Sequence, residues 1–578
     1  MNLSAFWRPS LLLLCFAVAG TESSAPAVSV ASLVCGQESI PDLILFDGKI
    51  FTSDVAHPYV QALAIRGERI VATGDTDKIK ALAGAQTKQI DLAGRTVIPG
   101  INDAHYHLWV TPKDELDLDL KTANPSLDEI RAAIASAIPK AQAGTVIVGG
   151  IGESAYFDTA LNRTLLDKWS PHSPVVLFTV SAHAAILNSA ALTRFNIHDG
   201  DADPMGGRYE RSSDGRLTGV LREYAALSVE HDIGGGGDGF VLKELESILS
   251  QAAKSGVTTI QDMSGDLTPE HCLALLSQIP SPIRIRIIRM PASTSRGRNV
   301  DEGVSVLHTH SGLVSVSGTK WMLDGTPLEG TFASRPAQAK LFAEINHPET
   351  SVDAMSPLEG FLATQQLTFP REQMTAMLDE SLKGEDQLLV HVNGYPAAKS
   401  MLDAMEADGG IEVWGGRRVR FEHGHGLFAD LTPRVKRLGV IVVQNPRQLA
   451  WQKHFTHDLG FVQAQPLKTL LAAGIPVALG SDLAGDVNPF LDIMLATTHP
   501  DSPTEAITRE QAVIAYTLTS AYAEFAEKDK GSLEPGKLAD LAVLSQDIFG
   551  VHTEELPKTQ SVLTLVGGKA VYDAGVLH

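Results

Sequence analysis

Cysteine is nearly absent from this 578-residue sequence, where Cys15, Cys35 and Cys272 are the whole set. Their spacing excludes a disulfide framework and a thiolate zinc site, and leaves at most a Cys35–Cys272 bridge that nothing else supports. Positive charge is also scarce. Lys plus Arg number 47 against 68 Asp plus Glu, a net charge of −21. That balance argues against nucleic acid and anionic membrane surfaces as partners, and the acidity itself reads as solubility. Long apolar runs are missing too: Leu11 to Val18 falls short of the roughly 20 residues that cross a bilayer. There are no internal repeats and no low-complexity tract.

What is present at the start reads as an address. Arg8 precedes the Leu-rich run, and Ala17-Val18-Ala19 supplies small residues for cleavage. Residues 1–20 therefore read as a signal peptide, with the protein exported to the periplasm or secreted and no membrane partner after signal removal. Leu14 before Cys15 fits a lipoprotein signal poorly, and 21–37 reads as a mature N-terminal tail. With 44% hydrophobic residues over this length, one large domain with a smaller companion is expected.

Two hairpins are expected early: Leu43 to Phe46 with Lys49 to Thr52 across Asp47-Gly48, and Ala62 to Arg66 with Arg69 to Thr73 across Gly67-Glu68. The far end mirrors this, with a strand at Ala539 to Leu544 and a hairpin turning on Gly567-Gly568. Neither end can complete a sheet alone, so 37–98 and 532–578 should form one composite β-sandwich domain around an inserted 99–531. Inside that insert, apolar runs alternate with helical stretches: Val146 to Val148, Val175 to Phe178, Val257 to Gln261, Ile283 to Ile288, Val314 to Met322, Leu388 to Val392, Val419 to Glu422, Val440 to Val443 and Ile475 to Ser481. The expected class is α/β, an (α/β)8 TIM-type barrel with catalytic side chains at the C-terminal strand ends. A helix should begin at Thr508, with Gln511 completing a capping box.

The chemistry centres on Ile101 to His107. Alternation along a strand puts His105 and His107 on one face, so two imidazoles aim at one point, as a metal requires. Alone, the pair is a weak signal that suits ordinary half-buried hydrogen-bonding histidines better than metal ligands. Further candidates each end an apolar run: Lys320, His391, His423 and Asp482. If those runs are parallel barrel strands, their ends converge, and four imidazoles plus a carboxylate suit Zn2+ or a similar divalent ion, one or two per chain. Lys320 alone could also be a solvated charge, and Asp482 an N-cap. His425, His454 and His457 read as surface or loop histidines. Trp109, Trp321 and Trp451 lie near strand ends, where they fill core or wall a pocket for a bulky apolar or aromatic substrate.

This constellation resembles the amidohydrolase superfamily. His183-Ala-Ala-Ile-Leu-Asn-Ser-Ala-Ala-Leu192, Gly256-Val-Thr-Thr259, Lys320 to Gly325, His391-Val-Asn-Gly394, Glu422-His423, Gly480-Ser-Asp482 and Gly531 to Asp540 are similar to the subgroup containing N-substituted formamide deformylases. The resemblance implies hydrolysis of an amide, formamide or carbamate C–N bond in a small molecule. It also implies Asp482 as proton carrier, His183 reaching substrate, and a Lys320 that can be carboxylated to bridge two cations; unmodified, it would favour one. Tyr395-Pro396 departs from the subgroup's acidic-then-basic pair, so Tyr395 is expected at the substrate together with His183, Trp109 and Trp321. Ester or lactone hydrolysis at the same site, and a secreted binding or regulatory protein with a vestigial site, remain as alternatives. A homo-oligomer is expected, though no particular residue specifies it.

Overall fold

The computed structural model describes residues 40–577 apart from 109–114, 123, 234–237, 266, 327–328, 330–333, 346–365, 451–464, 483–486 and 501. The signal segment, Trp109, Trp451, His454 and His457 lie outside the described residues. Eight strands follow one another in parallel: β1 (Ile101–Tyr106), β2 (Val257–Ser264), β3 (Arg284–Arg289), β4 (Val314–Met322), β5 (Leu388–Val392), β6 (Arg420–His423), β7 (Ile441–Gln444) and β8 (Val477–Leu479). Register aligns their ends, with Lys320 beside Leu389, His391 beside Glu422, and Gln444 beside Leu479.

β8 returns to β1 through two hydrogen bonds. Asp482 N–H donates to the His105 carbonyl (2.8 Å), and Ser481 N–H donates to the Asp103 carboxyl (3.0 Å). This makes a nearly closed TIM-type barrel, as the alternating pattern predicts. Gly480 permits the closure, since a Cβ there would lie 2.5 Å from the His105 nitrogen.

Outward-facing side chains such as Val390, Phe421, Val442 and Val477 pack against Met377, Met401, Leu402 and Phe490 of the surrounding helices. Each buried side chain of this size contributes roughly 1.5–3 kcal/mol. The interior is less usual. TIM barrels are generally filled by branched apolar residues, yet Asn102, Gln261, Arg286, Arg420 and Glu422 are buried here. They satisfy one another: the Gln261 carbonyl accepts from Arg420 (2.5 Å) and Arg286 (3.3 Å), and its amide donates to Asn102 (3.1 Å).

Two expectations need correction. Val146–Ile151 and Val175–Thr179 are not barrel strands; they belong to a separate six-stranded mixed sheet spanning 115–223, inserted between β1 and β2. They pair in parallel and are as apolar as barrel strands, so their local sequence cannot say which sheet they join. The first expected hairpin does not form either. Leu43–Phe46 pairs with Ala62–Arg66 and Lys88–Asp91, whereas Lys49–Phe51 pairs with Tyr59–Val60 and Thr96–Pro99. Asp47, at φ 54°, turns the chain from one sheet into the other.

The second hairpin forms, with Arg66 opposite Arg69. The two ends of the chain share one sheet, where Leu541–Leu544 lies between Thr96–Pro99 and Ser561–Val566. The Thr508–Gln511 capping box opens the helix Arg509–Ile514. Among the described residues, no helix is long and apolar enough to cross a membrane.

Candidate metal centre

β1 ends in the pair the sequence singles out, and β8 delivers the third group. Ligand atoms of His105, His107 and Asp482 all lie within 4.8 Å of one another. Asp482 Oδ1 sits 3.1 Å from His105 Nε2 and 3.3 Å from His107 Nε2. Lys320, from β4, places Nζ 3.0 Å from His105 Nε2. His423 and His391 complete the arc: ring centroids are 5.2 Å apart for His105 and His423, and 4.5 Å for His423 and His391. Asp482 at φ 55° and His423 at φ 71° occupy the left-handed region without being glycine. Such backbone strain persists only where surrounding structure over-determines it, and it concentrates at functional sites.

Burial and mutual repulsion set the protonation states. His107 is pushed down to about 4 by burial, against the pull of Asp482. Burial, together with neighbouring rings and Lys320, holds His391 and His423 well below the ordinary histidine range. Burial also depresses the Lys320 ammonium. Burial alone would raise Asp482, but His105, His107 and His423 outweigh it and hold the carboxyl well below its usual range. Neutral imidazoles beside an ionised carboxylate are the forms in which these side chains bind metal. His391 Nδ1 is buried without a hydrogen-bond partner among the described residues, a cost that coordination would relieve. An all-nitrogen-and-oxygen donor set of this kind fits a divalent ion such as zinc.

The remaining expected residues divide. His183 reaches the mouth from the inserted sheet: its ring centroid is 5.0 Å from that of His391, and Nδ1 meets Glu223 Oε2 at 2.7 Å. Trp321 does not line the mouth. One residue after Lys320, it points to the opposite face of β4 and packs in the core against Tyr224 and Phe369, as strand alternation requires. Tyr395 stacks on Phe428 (5.5 Å) and donates its hydroxyl to Asp430 (2.8 Å), so it is engaged with the loop after β6 rather than with the histidines. His425, expected at the surface, is buried with its ring 5.9 Å from that of His423, and burial pushes it down to about 4.

Sequence reasoning gave no role to the groups standing behind the ligands. Glu422 meets His105, Asn445 meets His423, and Gln448 donates to Asp482 Oδ2 at 2.7 Å. The one available signal was spacing, because Arg420 and Glu422 are two apart on β6 and so share its inner face.

A family model described as "Amidohydrolase family" matches residues 88–572. The chain belongs to the amidohydrolase family. It is similar to N-substituted formamide deformylase of Arthrobacter pascens, 26% identical over 557 residues that cover 92% of this chain and 98% of the relative. It is also similar to the protein LONG AFTER FAR-RED 3 of Arabidopsis thaliana, 27% identical over 564 residues and 92% of each chain. Among solved structures, an uncharacterised metal-dependent hydrolase from Pyrococcus furiosus has a similar fold, with a TM-score of 0.58 at 22% identity over 88% of this chain and 99% of the other.

Proposed function

We propose that this chain hydrolyses a C–N bond of an amide, formamide or carbamate in a small molecule. The observation that carries the reading is the convergence of His105, His107 and Asp482, from opposite ends of the barrel sequence, within 4.8 Å. His105, His107, Lys320, His391, His423 and Asp482 would hold the metal. A divalent ion bound there lowers the pKa of water toward roughly 7 and polarises a carbonyl. Asp482, ionised and steadied by Gln448, takes the proton of the attacking water. It then delivers that proton to the leaving nitrogen, which would otherwise depart as a strongly basic amide anion. His183, held by Glu223, reaches the substrate from the inserted sheet.

Lys320 supports a dinuclear form of the centre. It is 1% exposed and its ammonium is depressed by burial, so the free amine can attack the carbon of carbon dioxide, lose one proton and become a carbamate. An unmodified ammonium beside a divalent ion would be repelled. Export is part of the proposal and rests on Arg8, Leu11 to Val18 and Ala17-Val18-Ala19. The test is metal content together with turnover of N-acyl, formamide and carbamate compounds. About two metals per chain and cleavage of at least one class is the expected result; a metal-replete protein that cleaves esters but none of these would overturn it.

A further inference from the structure

Four imidazoles stand in file along one side of the mouth. From His183 through His391 and His423 to His425, successive ring centroids are 5.0, 4.5 and 5.9 Å apart. The inner two are candidate ligands, and the outer two are treated differently by their surroundings. His183 is gripped: its Nδ1 meets Glu223 Oε2 at 2.7 Å, and its carbonyl accepts the Glu223 N–H at 2.8 Å. His425 is 5% exposed, yet its Nε2 is buried without a hydrogen-bond partner among the described residues. An imidazole edge withdrawn from water and left unbonded costs stability, so a ring kept in that state needs a reason. Packing alone would be served by a phenylalanine or leucine, which has no polar edge to desolvate.

The chain around this ring is built tightly. Gly424, at φ 63°, donates its N–H to the Val392 carbonyl of β5 (2.8 Å), and a Cβ there would lie 2.8 Å from Val442 of β7. A Cβ on Gly426 would run into the backbone nitrogen of Tyr395, where the helix Tyr395–Ala407 begins. His425 is thus held between two glycines that their neighbours leave no room to enlarge, and backbone rather than side-chain bonding sets where its ring stands. Asp482 is the charge whose field reaches His425, whereas Glu223 is the strongest charge on His183. Asp482 Oδ2 also stands 3.9 Å from His423 Nδ1. The His425 end of the file is therefore the end beside the proton carrier, where a leaving nitrogen must lie to receive its proton. His183, at the other end, is left to the acyl half.

We propose that His425 is a specificity-determining residue for the leaving amine: its Nε2 exchanges a hydrogen bond with a polar substituent on that half of the substrate. Amides, formamides or carbamates of amines that carry such a group, a hydroxyl being the simplest, are preferred over those of purely hydrocarbon amines. The inference rests on the C–N hydrolase reading above.

The test uses the zinc-loaded full chain with N-acyl derivatives of benzylamine and of its ortho-, meta- and para-hydroxyl forms, all carrying one acyl group that the wild-type chain removes. For at least one hydroxyl position the wild-type kcat/KM is expected to exceed that of the benzylamine compound by about tenfold or more, because a site built to hydrogen-bond a hydroxyl rejects the analogue lacking it. His425→Phe should bring that ratio close to one, and His425→Gln, which keeps a hydrogen-bonding group, should restore part of it. Both rates come from one preparation, so partial unfolding or loss of zinc cancels in the ratio. Three results would overturn the inference and leave the hydrolase reading standing: a wild-type ratio near one at every position, the wild-type ratio retained in His425→Phe, or cleavage of none of the four by a chain active on other amides. A zinc-loaded chain that cleaves no amide, formamide or carbamate would overturn the hydrolase reading itself, and this inference with it.

Discussion

The barrel mouth and the sheet shared by the chain ends are built to opposite rules. At the mouth, His423, Asp482, Glu223 and Ala182 hold left-handed backbone without being glycine, and ionisable groups are buried side by side. In the end sheets the hairpin turns at Gly67 and Gly567-Gly568 give that conformation to glycine, and the core is Leu45, Leu63, Val97, Leu541, Val543 and Leu565. One region buries ionisable groups to place donors; the other, although Asp47, Ser53 and Ala93 also hold left-handed backbone at its turns, buries an apolar core. Stability and chemistry should therefore separate by region.

The largest effect should come from His105→Ala combined with His107→Ala, which is expected to remove metal and turnover together while the apo melting temperature moves by only a few degrees. Full metal occupancy in that variant would show that the ligands lie elsewhere. Asp482→Asn should keep much of the metal yet lose about 10²–10⁴-fold in turnover, most with poor nitrogen leaving groups; near-wild-type rates would remove the proton-carrying role. In the end sheet the consequence reverses. Leu541→Ala, at a fully buried position, should cost about 2–5 kcal/mol in denaturant unfolding with kcat/KM per folded molecule unchanged. A matching fall in kcat/KM would join the two regions.

The smallest effect concerns Asp262, at the C-terminal end of β2, where burial pushes the carboxyl up to about 7 against the Leu108 N–H it accepts at 2.9 Å. An acid raised in the folded state binds more protons there than in the unfolded chain between its unfolded pKa and about 7, so its contribution to stability falls as pH rises through that window. Asp262→Asn should accordingly be near neutral in thermal melts below pH 4 and stabilising by several degrees at pH 8. Equal shifts at both pH values would show that this acid carries no such penalty.

Much of the barrel was legible because its strands are apolar runs that end in one polar side chain, and Lys320, His391, His423 and Asp482 each mark such an end. The inserted sheet was not, since Val146–Ile151 and Val175–Thr179 carry the same apolar signature and only their non-local partners place them. Trp321 could have been read correctly: if Lys320 faces the mouth, its neighbour on the strand cannot. Asn445 follows β7 directly and Gln448 opens a short helical stretch after it, too brief to show a periodicity, and their contacts exist only once β6, β7 and β8 lie side by side.

The strand Leu541–Leu544, held between Thr96–Pro99 and Ser561–Val566, also dictates a sequence of events in time. The early strand leaves the ribosome more than four hundred residues before its partner, so it must wait, unpaired at that edge, through synthesis of the whole barrel. Contacts this remote form slowly, because the intervening chain has to be ordered before they repay the loop closure. A holding chaperone, or a translocation channel if the chain is exported, would therefore meet a molecule whose last act of folding is to join its two ends.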